Sequence, residues 1–181
     1  GGWVYLLALA FVFLALSALY DSWSMPLAIL LSVPLAVAGA MVSVWAVHHW
    51  NALLVNDIYL QISLVMLIGL AAKNAILVAE YADRMFFGQG LSLADAALGA
   101  ARQRVRPILM TAFAFILGVL PLVFAHGVYA TARNVMGVAL VGGMAAATLA
   151  GIFLYPALYY LIGRIFGFEK KRERLKREEN L

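Results

Sequence analysis

The sequence has 181 residues, of which 65% are hydrophobic and only 12% are charged, and its formal net charge is +4 at pH 7. This composition excludes an ordinary soluble domain, and the absence of cysteine excludes a disulfide framework and a thiolate metal site. The basic residues lie mainly in one loop and in the C-terminal tail, where they report membrane topology and predict no nucleic-acid partner. We therefore expect an integral membrane protein.

Five apolar runs follow one another along the chain, each near or above the ~20 residues that a helix needs to cross a bilayer. They cover residues 3–20, 26–47, 58–81, 107–124 and 134–162. The runs predict an all-α integral membrane fold, with a bundle of five transmembrane helices over residues 1–163 and a charged cytoplasmic tail over residues 164–181. Because the chain begins Gly1-Gly2-Trp3, without an initiator methionine or a basic leader, we expect a piece of a longer protein.

The orientation of these spans follows from the basic residues. Four arginines lie in residues 83–106 and seven basic residues follow residue 163, whereas the loop before the fifth span contributes only Arg133. The positive-inside rule places both basic regions in the cytoplasm. Counting back through five spans puts the N-terminus and the loops 48–57 and 125–133 outside, and the short Asp21–Met25 link inside.

A short amphipathic helix is predicted over residues 91–103, on the cytoplasmic face between the third and fourth spans. Ser92 and Asp95 have the spacing of a capping box, and apolar residues recur at helical intervals after them. The tail over residues 169–180 alternates acidic and basic residues, which favours a solvated helical or frayed end over a lipid-binding role. We assign no chemistry to the tail.

Lys73 lies near the middle of the third span. A lysine at the centre of a membrane helix costs about 2.5–3.5 kcal/mol, so it is normally retained only where it faces protein or a wet cavity. The nearer end of the span is about 12 Å away at 1.5 Å per residue, too far for the side chain to reach the interface comfortably. Lys73 is therefore predicted to take part in an ion or proton pathway.

A protonated lysine in this position needs an anionic or strongly polar neighbour. Among the nine acidic residues, only Glu80 lies inside a span, and it is seven residues further along the same helix, about 10 Å away. Glu80 is more simply a partner for Arg84, four positions on. The counter-ion of Lys73 is therefore expected outside this chain.

Three further polar residues could assist Lys73. Thr111 and Arg104 are seven residues apart and share a helix face. Thr111 could instead hydrogen-bond to the backbone of its own helix, and Arg104 could serve only as a cytoplasmic positive charge that sets the membrane topology. Asn74 is about 100° around the helix from Lys73 and could join helices rather than relay protons.

Small residues predict close helix packing, and the sequence contains no pattern for a metal or a cofactor. Gly143, Ala147 and Gly151 form a small-residue stripe on the fifth span, Ala36 and Ala40 form another on the second, and Gly69 leaves room beside Lys73. The three histidines lack cysteine or spaced carboxylate partners, so no metal site is expected. No phosphate loop, nucleophile elbow or zincin motif is present, so we expect neither an enzyme nor a cofactor.

Several segments resemble one family of transporters. The residues Gly69-Leu-Ala-Ala-Lys-Asn-Ala-Ile-Leu-Val-Ala-Glu80 and Arg104-Val-Arg-Pro-Ile-Leu-Met-Thr111, followed by 114–122, are similar to the C-terminal membrane half of resistance–nodulation–division (RND) multidrug efflux pumps of the hydrophobe/amphiphile branch. Residues 19–26 and 142–149 fit the same family. The resemblance covers nearly the whole chain in order.

The resemblance implies the last five of twelve helices in a protomer that works as a trimer in the bacterial inner membrane and exports drugs and other amphiphiles in exchange for protons. Lys73 would match the family's intramembrane lysine, Thr111 its relay threonine and Arg104 its arginine near the relay. The implied partners are two aspartates in the remainder of the protomer, a periplasmic adaptor and an outer-membrane channel, besides the lipid bilayer and protons.

Two hypotheses remain open at this point. In the first, the chain is part of a substrate/H⁺ antiporter to which Lys73 contributes a charge in the proton relay. In the second, it is a stand-alone structural or interaction module, or a remnant without transport activity of its own. Co-purification with a chain that offers mid-membrane carboxylates would distinguish them.

Overall fold

The computed structural model describes residues 2–20, 24–49 and 58–180. Within these ranges the backbone is helical apart from short turns, and it contains no strand. Most of the predicted 21–25 link and 48–57 loop lies outside the described residues.

Seven α-helices make up the described chain: α1 Gly2–Tyr20, α2 Ser24–His48, α3 Ile58–Asp83, α4 Leu93–Val123, α5 Ala130–Leu149, α6 Tyr155–Ile165 and α7 Phe168–Glu179. The π-helical turn Arg84–Gly88 extends α3, and a second, Ala150–Leu154, joins α5 to α6. In the described residues, five helical segments are long and apolar enough to cross a membrane: Gly2–Leu19, Leu30–His48, Ile58–Gly88, Leu93–Val123 and Ala130–Ile165. The predicted all-α architecture with five spans is confirmed.

The predicted interfacial helix over residues 91–103 is not a separate element. α4 runs without a break from Leu93 to Val123, and its 31 residues measure about 46 Å, well beyond the ~30 Å of a hydrocarbon core. The arginines of residues 102–106 interrupt the apolar run but are good helix formers, so they end the hydropathy signal and not the helix. Pro107 lies inside α4 and removes one backbone donor without ending it.

The predicted cap of this helix is present. Ser92 has an extended backbone, and its Oγ accepts a hydrogen bond of 3.2 Å from the Asp95 backbone N–H. The Ser92 hydroxyl in turn donates to Asp95 Oδ2 over 2.7 Å. These bonds satisfy one of the free N–H groups of the first turn and fix where α4 begins.

α5 lies at the centre of the bundle and packs against α2, α3 and α4. Its closest approach is to α2, at glycines outside the two predicted stripes. A Cβ added to Gly39 would collide with the Ala146 side chain and lie 2.9 Å from Gly142 O, and one added to Gly142 would collide with Ser43. The Ser43 hydroxyl donates to Ala40 O of its own helix over 2.8 Å, and it also lies 3.1 Å from Val138 O across the interface.

The predicted stripe on the fifth span is buried as well. Gly143 faces the Leu67 side chain of α3, and Ala147 lies in a buried cluster with Val33 and Ala36 of α2. Gly151 belongs to the second π-helical turn and packs beside Ile108 of α4. Small residues thus line α5 at these contacts with α2, α3 and α4, which lets the backbones approach closely.

The C-terminal tail is held against the rest of the bundle at its start by Phe168 and Arg172. Phe168 is 5% exposed and packs in the cluster that contains Phe86 and Tyr159. Arg172 Nη1 donates to Leu91 O over 2.7 Å and to Phe86 O over 3.3 Å, and its guanidinium lies 4.4 Å from the centre of the Phe86 ring. The predicted solvated helical tail over residues 169–180 agrees with α7, in which these residues are exposed apart from the half-buried Arg172. The hydrogen bonds of Arg172 to the rest of the bundle were not predicted.

The α2–α5 contact gives a direct test of the packing. Gly142→Val should lower the free energy of unfolding by about 1–3 kcal/mol, because the added carbons have no space against Ser43. Gly118→Val is the matched control, since a Cβ at Gly118 of α4 meets no atom within 4 Å. Thermal unfolding in detergent should separate the two variants, and equal effects would contradict the close contact.

Candidate functional site

Lys73 lies on the outward face of α3. Ala71, Ala72 and Ala75 on the other side of the helix are buried in the bundle, whereas Lys73 and Gly69 are exposed. A Cβ added at Gly69 would meet no atom within 4 Å, so the face of α3 that carries Gly69 and Lys73 is open. The helix therefore presents its lysine away from the other four spans.

The structure gives Lys73 no counter-ion within the described residues. The ion pair recorded in that part of the chain joins Arg84 Nη2 to Glu80 Oε1 over 3.0 Å. This pair agrees with the predicted partner of Glu80, and it leaves no intramembrane carboxylate on α3 for Lys73. The same described ranges contain no cluster of three His, Cys, Asp or Glu residues that could hold a metal ion.

Asn74, unlike Lys73, faces into the bundle. It is 3% exposed, and its Nδ2 has no hydrogen-bond partner among the residues described. A buried amide without an acceptor is costly, by roughly 1–3 kcal/mol. Its predicted role as a bond between helices remains a prediction.

Thr111 lies on an exposed face of α4, together with large apolar side chains. Met110, Phe113 and Leu117 are each more than 60% exposed. The Thr111 hydroxyl donates to Pro107 O over 3.0 Å. It therefore bonds to its own helix, which is one of the two alternatives that the sequence left open. This face of α4 is uncovered like the Lys73 face of α3.

Arg104 packs against α3 and does not extend into solvent. It is half-buried, and its guanidinium carbon lies 5.1 Å from the centre of the Tyr81 ring. A cation over an aromatic face is attracted by the ring quadrupole. Its Nε is buried and has no hydrogen-bond partner in the described ranges.

The predicted relay residues do not touch one another. No hydrogen bond or ion pair recorded among the described residues joins Lys73, Asn74, Arg104 and Thr111 to each other. They lie on two helices, α3 and α4, that pack against each other. Lys73 and Thr111 are both exposed. The site is thus a set of polar groups on two neighbouring helices and not a closed network.

Sequence reasoning missed two buried tyrosines that hold α6 against α3. Tyr155 Oη donates to Ala71 O over 3.2 Å, two residues before Lys73, and Tyr159 Oη donates to Asp83 Oδ1 over 3.0 Å. Both rings are less than 5% exposed. The signal was available, because two tyrosines four residues apart share one helix face, and a buried hydroxyl needs a partner.

Comparison with known proteins identifies the family. Residues 2–163 match the model of the AcrB/AcrD/AcrF family, which is most of the chain. The chain belongs to this family. The resemblance to RND transporters that its motifs carry is therefore confirmed.

Members of this family with curated names align along nearly the full length of the chain. Multidrug resistance protein MdtF of Escherichia coli K12 is 46% identical over 168 residues, which is 93% of this chain and 16% of the relative. Toluene efflux pump membrane transporter TtgB of Pseudomonas putida is 45% identical over 91% of this chain. Multidrug export protein AcrF of E. coli K12 is 44% identical over 89%. The chain spans about 16% of the length of such relatives.

The α3–α6 contact leads to a prediction. Tyr159→Phe should destabilise the protein by about 1–3 kcal/mol, because the carboxylate of Asp83 loses a buried donor. Tyr160→Phe is the control, since that neighbouring ring is 37% exposed. Asp83→Ala, alone and together with Tyr159→Phe, completes a double-mutant cycle in thermal unfolding, because alanine removes the acceptor. A coupling energy near zero would show that the bond contributes nothing to stability.

Proposed function

We propose that this chain is the membrane segment of a proton-coupled secondary transporter that exports drugs and other amphiphiles, a substrate/H⁺ antiporter. The observation that carries the proposal is Lys73, a cation on the open face of a membrane-spanning helix with no carboxylate partner in the described chain. The printed names of the relatives, which are multidrug and toluene efflux proteins, support the substrate class. The protein would be a transporter and not an enzyme, and it would need no cofactor.

The proposed role of Lys73 is electrostatic. A carboxylate supplied by the remainder of the protomer would lie against the open turn of α3 at Gly69 and Lys73 and form an ion pair in a low dielectric. Protonation of that carboxylate would cancel the attraction, so that the contact between the two membrane halves would differ between protonation states. Arg104 and Thr111 on α4 would adjust the field and the hydration beside this pair.

The proposed assembly follows from the family. The chain would be joined to an aspartate-bearing membrane half and to periplasmic domains, and three protomers would form a homotrimer that meets a periplasmic adaptor and an outer-membrane channel. The location would be the bacterial inner membrane, with the N-terminus periplasmic and the C-terminus cytoplasmic, because the basic residues of α4 and α7 lie at one end of the bundle. Large exposed apolar side chains on α1, such as Trp3 and Phe11, support contact with lipid or with the remainder of the protomer.

Removing the charge of Lys73 tests the transport role. Lys73→Met in the complete protein should abolish proton-driven efflux of a fluorescent amphiphile from cells, because the methionine keeps the length of the side chain and loses its charge. Arg84→Gln removes another cation from the same helical segment and should leave efflux intact, since the Arg84–Glu80 pair is solvent-exposed. Immunoblots of the membrane fraction would verify equal amounts of each variant. Intact efflux by Lys73→Met would contradict the proposal.

A cross-link separates the transporter from the stand-alone module. Carbodiimide treatment of native membranes should join Lys73 to a carboxylate that lies outside these 181 residues, and mass spectrometry of the cross-linked peptides would identify it. Purification of the chain alone, with Lys73 unlinked, would favour the second hypothesis.

A further inference from the structure

A cavity of about 490 Å³ lies at the end of the bundle where α4 begins and α6 turns into α7. Ser92 and Ala94 line it from α4, Tyr160 and Arg164 from α6, and Glu169 and Lys170 from α7. The residues discussed above for the proton relay do not line it. It is therefore independent of the Lys73 face.

The charges around this cavity favour an anion. Arg164 and Lys170 are exposed cations, and neither has a hydrogen bond or an ion pair among the residues that the structure describes. Glu169 offsets one of the two positive charges. Asp95, in the first turn of α4, does not line the cavity, and its Oδ2 accepts the Ser92 hydroxyl.

The start of α4 adds backbone donors to the two cations. Ser92 Oγ and Ser92 O accept the N–H groups of Asp95 and Ala96, which leaves the earlier N–H groups of the helix without intrahelical acceptors. Leu93 and Ala94, which carry these N–H groups, both line the cavity. The positive end of a 31-residue helix thus points to the same space as Arg164 and Lys170.

An apolar groove continues from the polar cavity. A depression of about 250 Å³ lies between α4 and α6, and it shares Ala94 and Tyr160 with the cavity. Its other walls include Leu98, one turn further into α4, and Pro156 and Ala157, nearer the start of α6. Because α6 runs toward the cavity and α4 runs away from it, the groove leads from the charged end toward the middle of the span.

The wall formed by α7 is held in position. Gly167 has a left-handed backbone with φ of 64°, which turns the chain between α6 and α7, and Phe168 anchors the turn in the core. The Arg172 hydrogen bonds to Leu91 O and Phe86 O fix the next turn of α7. Lys170, between these two anchors, is presented on a fixed helix and not on a free tail.

We propose that this cavity and groove bind one anionic phospholipid of the adjoining leaflet. The phosphate would lie between Arg164, Lys170 and the start of α4, and an acyl chain would lie along Leu98, Pro156 and Ala157. A basic pocket between membrane helices at the headgroup level has the chemistry that anionic headgroups need. The apolar groove beside it distinguishes a lipid from a soluble phosphate.

The first experiment removes the charges. Phosphatidylglycerol bound to the detergent-solubilised complete protein is titrated and counted by native mass spectrometry. Arg164→Gln with Lys170→Gln should weaken binding of one lipid per chain by about tenfold or more. Lys176→Gln with Arg177→Gln, which removes two exposed α7 cations that do not line the cavity, should leave that lipid bound. Equal loss in both double variants would overturn the proposal, since it would indicate general attraction to charge.

A second pair of variants tests the groove without changing charge. Ala157→Trp should fill it and weaken phosphatidylglycerol binding, whereas Ala114→Trp on the exposed face of α4, outside the groove, should not. Arg164→Lys with Lys170→Arg changes both side chains but keeps both positive charges, and it should retain the lipid. Retention would show that the loss in the Gln variants is due to the missing charges and not to misfolding. Competition with inorganic phosphate and glycerol 3-phosphate distinguishes the sources of phosphate. Full displacement by either anion, together with unchanged binding by Ala157→Trp, would overturn the lipid assignment.

Discussion

The contact between α2 and α5 determines how the other helices can be arranged. Gly39 and Gly142 bring the two backbones so close that neither position accepts a side chain, and Ser43 adds a polar group within reach of a carbonyl across the interface. In a membrane, where apolar surface gains nothing by leaving lipid, such close packing and interhelical hydrogen bonding stabilise a helix pair. α3 and α4 then pack on the remaining sides of α5.

This arrangement explains why the polar face of α3 is outside. α3 has alanines on one side, at 71, 72 and 75, and these allow close packing against the bundle and against α6. Tyr155 completes the contact by donating to the Ala71 carbonyl. With that side buried, the helix geometry turns Gly69 and Lys73 away from α5, because they lie on the opposite face. The outward lysine is thus a consequence of packing that is complete on the inner side.

The sequence predicted features that depend on local composition. The five spans follow from runs of apolar residues, and the Ser92 cap follows from a four-residue pattern. Glu80 and Arg84 pair as their spacing predicts. Each of these depends on residues within a turn or a span of one another.

The features that were missed depend on contacts between distant segments. Arg172 bonds to Leu91 O, 81 positions away in the chain, so an alternating charged tail carried no sign that it would dock. The closest helix contact lies at Gly39 and Gly142, one residue from the predicted stripes, because the crossing geometry and not the stripe alone selects the residue. The sequence did not predict that α4 is continuous, because hydropathy depends on the polarity of the side chains, whereas a helix is formed by backbone hydrogen bonds.

Pro107 gives α4 a mechanical property that follows from its position. It divides the helix into an arm of about 21 Å that begins at Leu93 and an arm of about 24 Å that ends at Val123. The missing N–H leaves one backbone bond absent at the joint, while Thr111 bonds to the proline carbonyl just beyond it. Arg104 packs the first arm against Tyr81 of α3, and the second arm ends in close contact with Gly137 of α5. Pro107 therefore places a point of reduced backbone bonding between the part of α4 that contacts Tyr81 of α3 and the part that packs against α5.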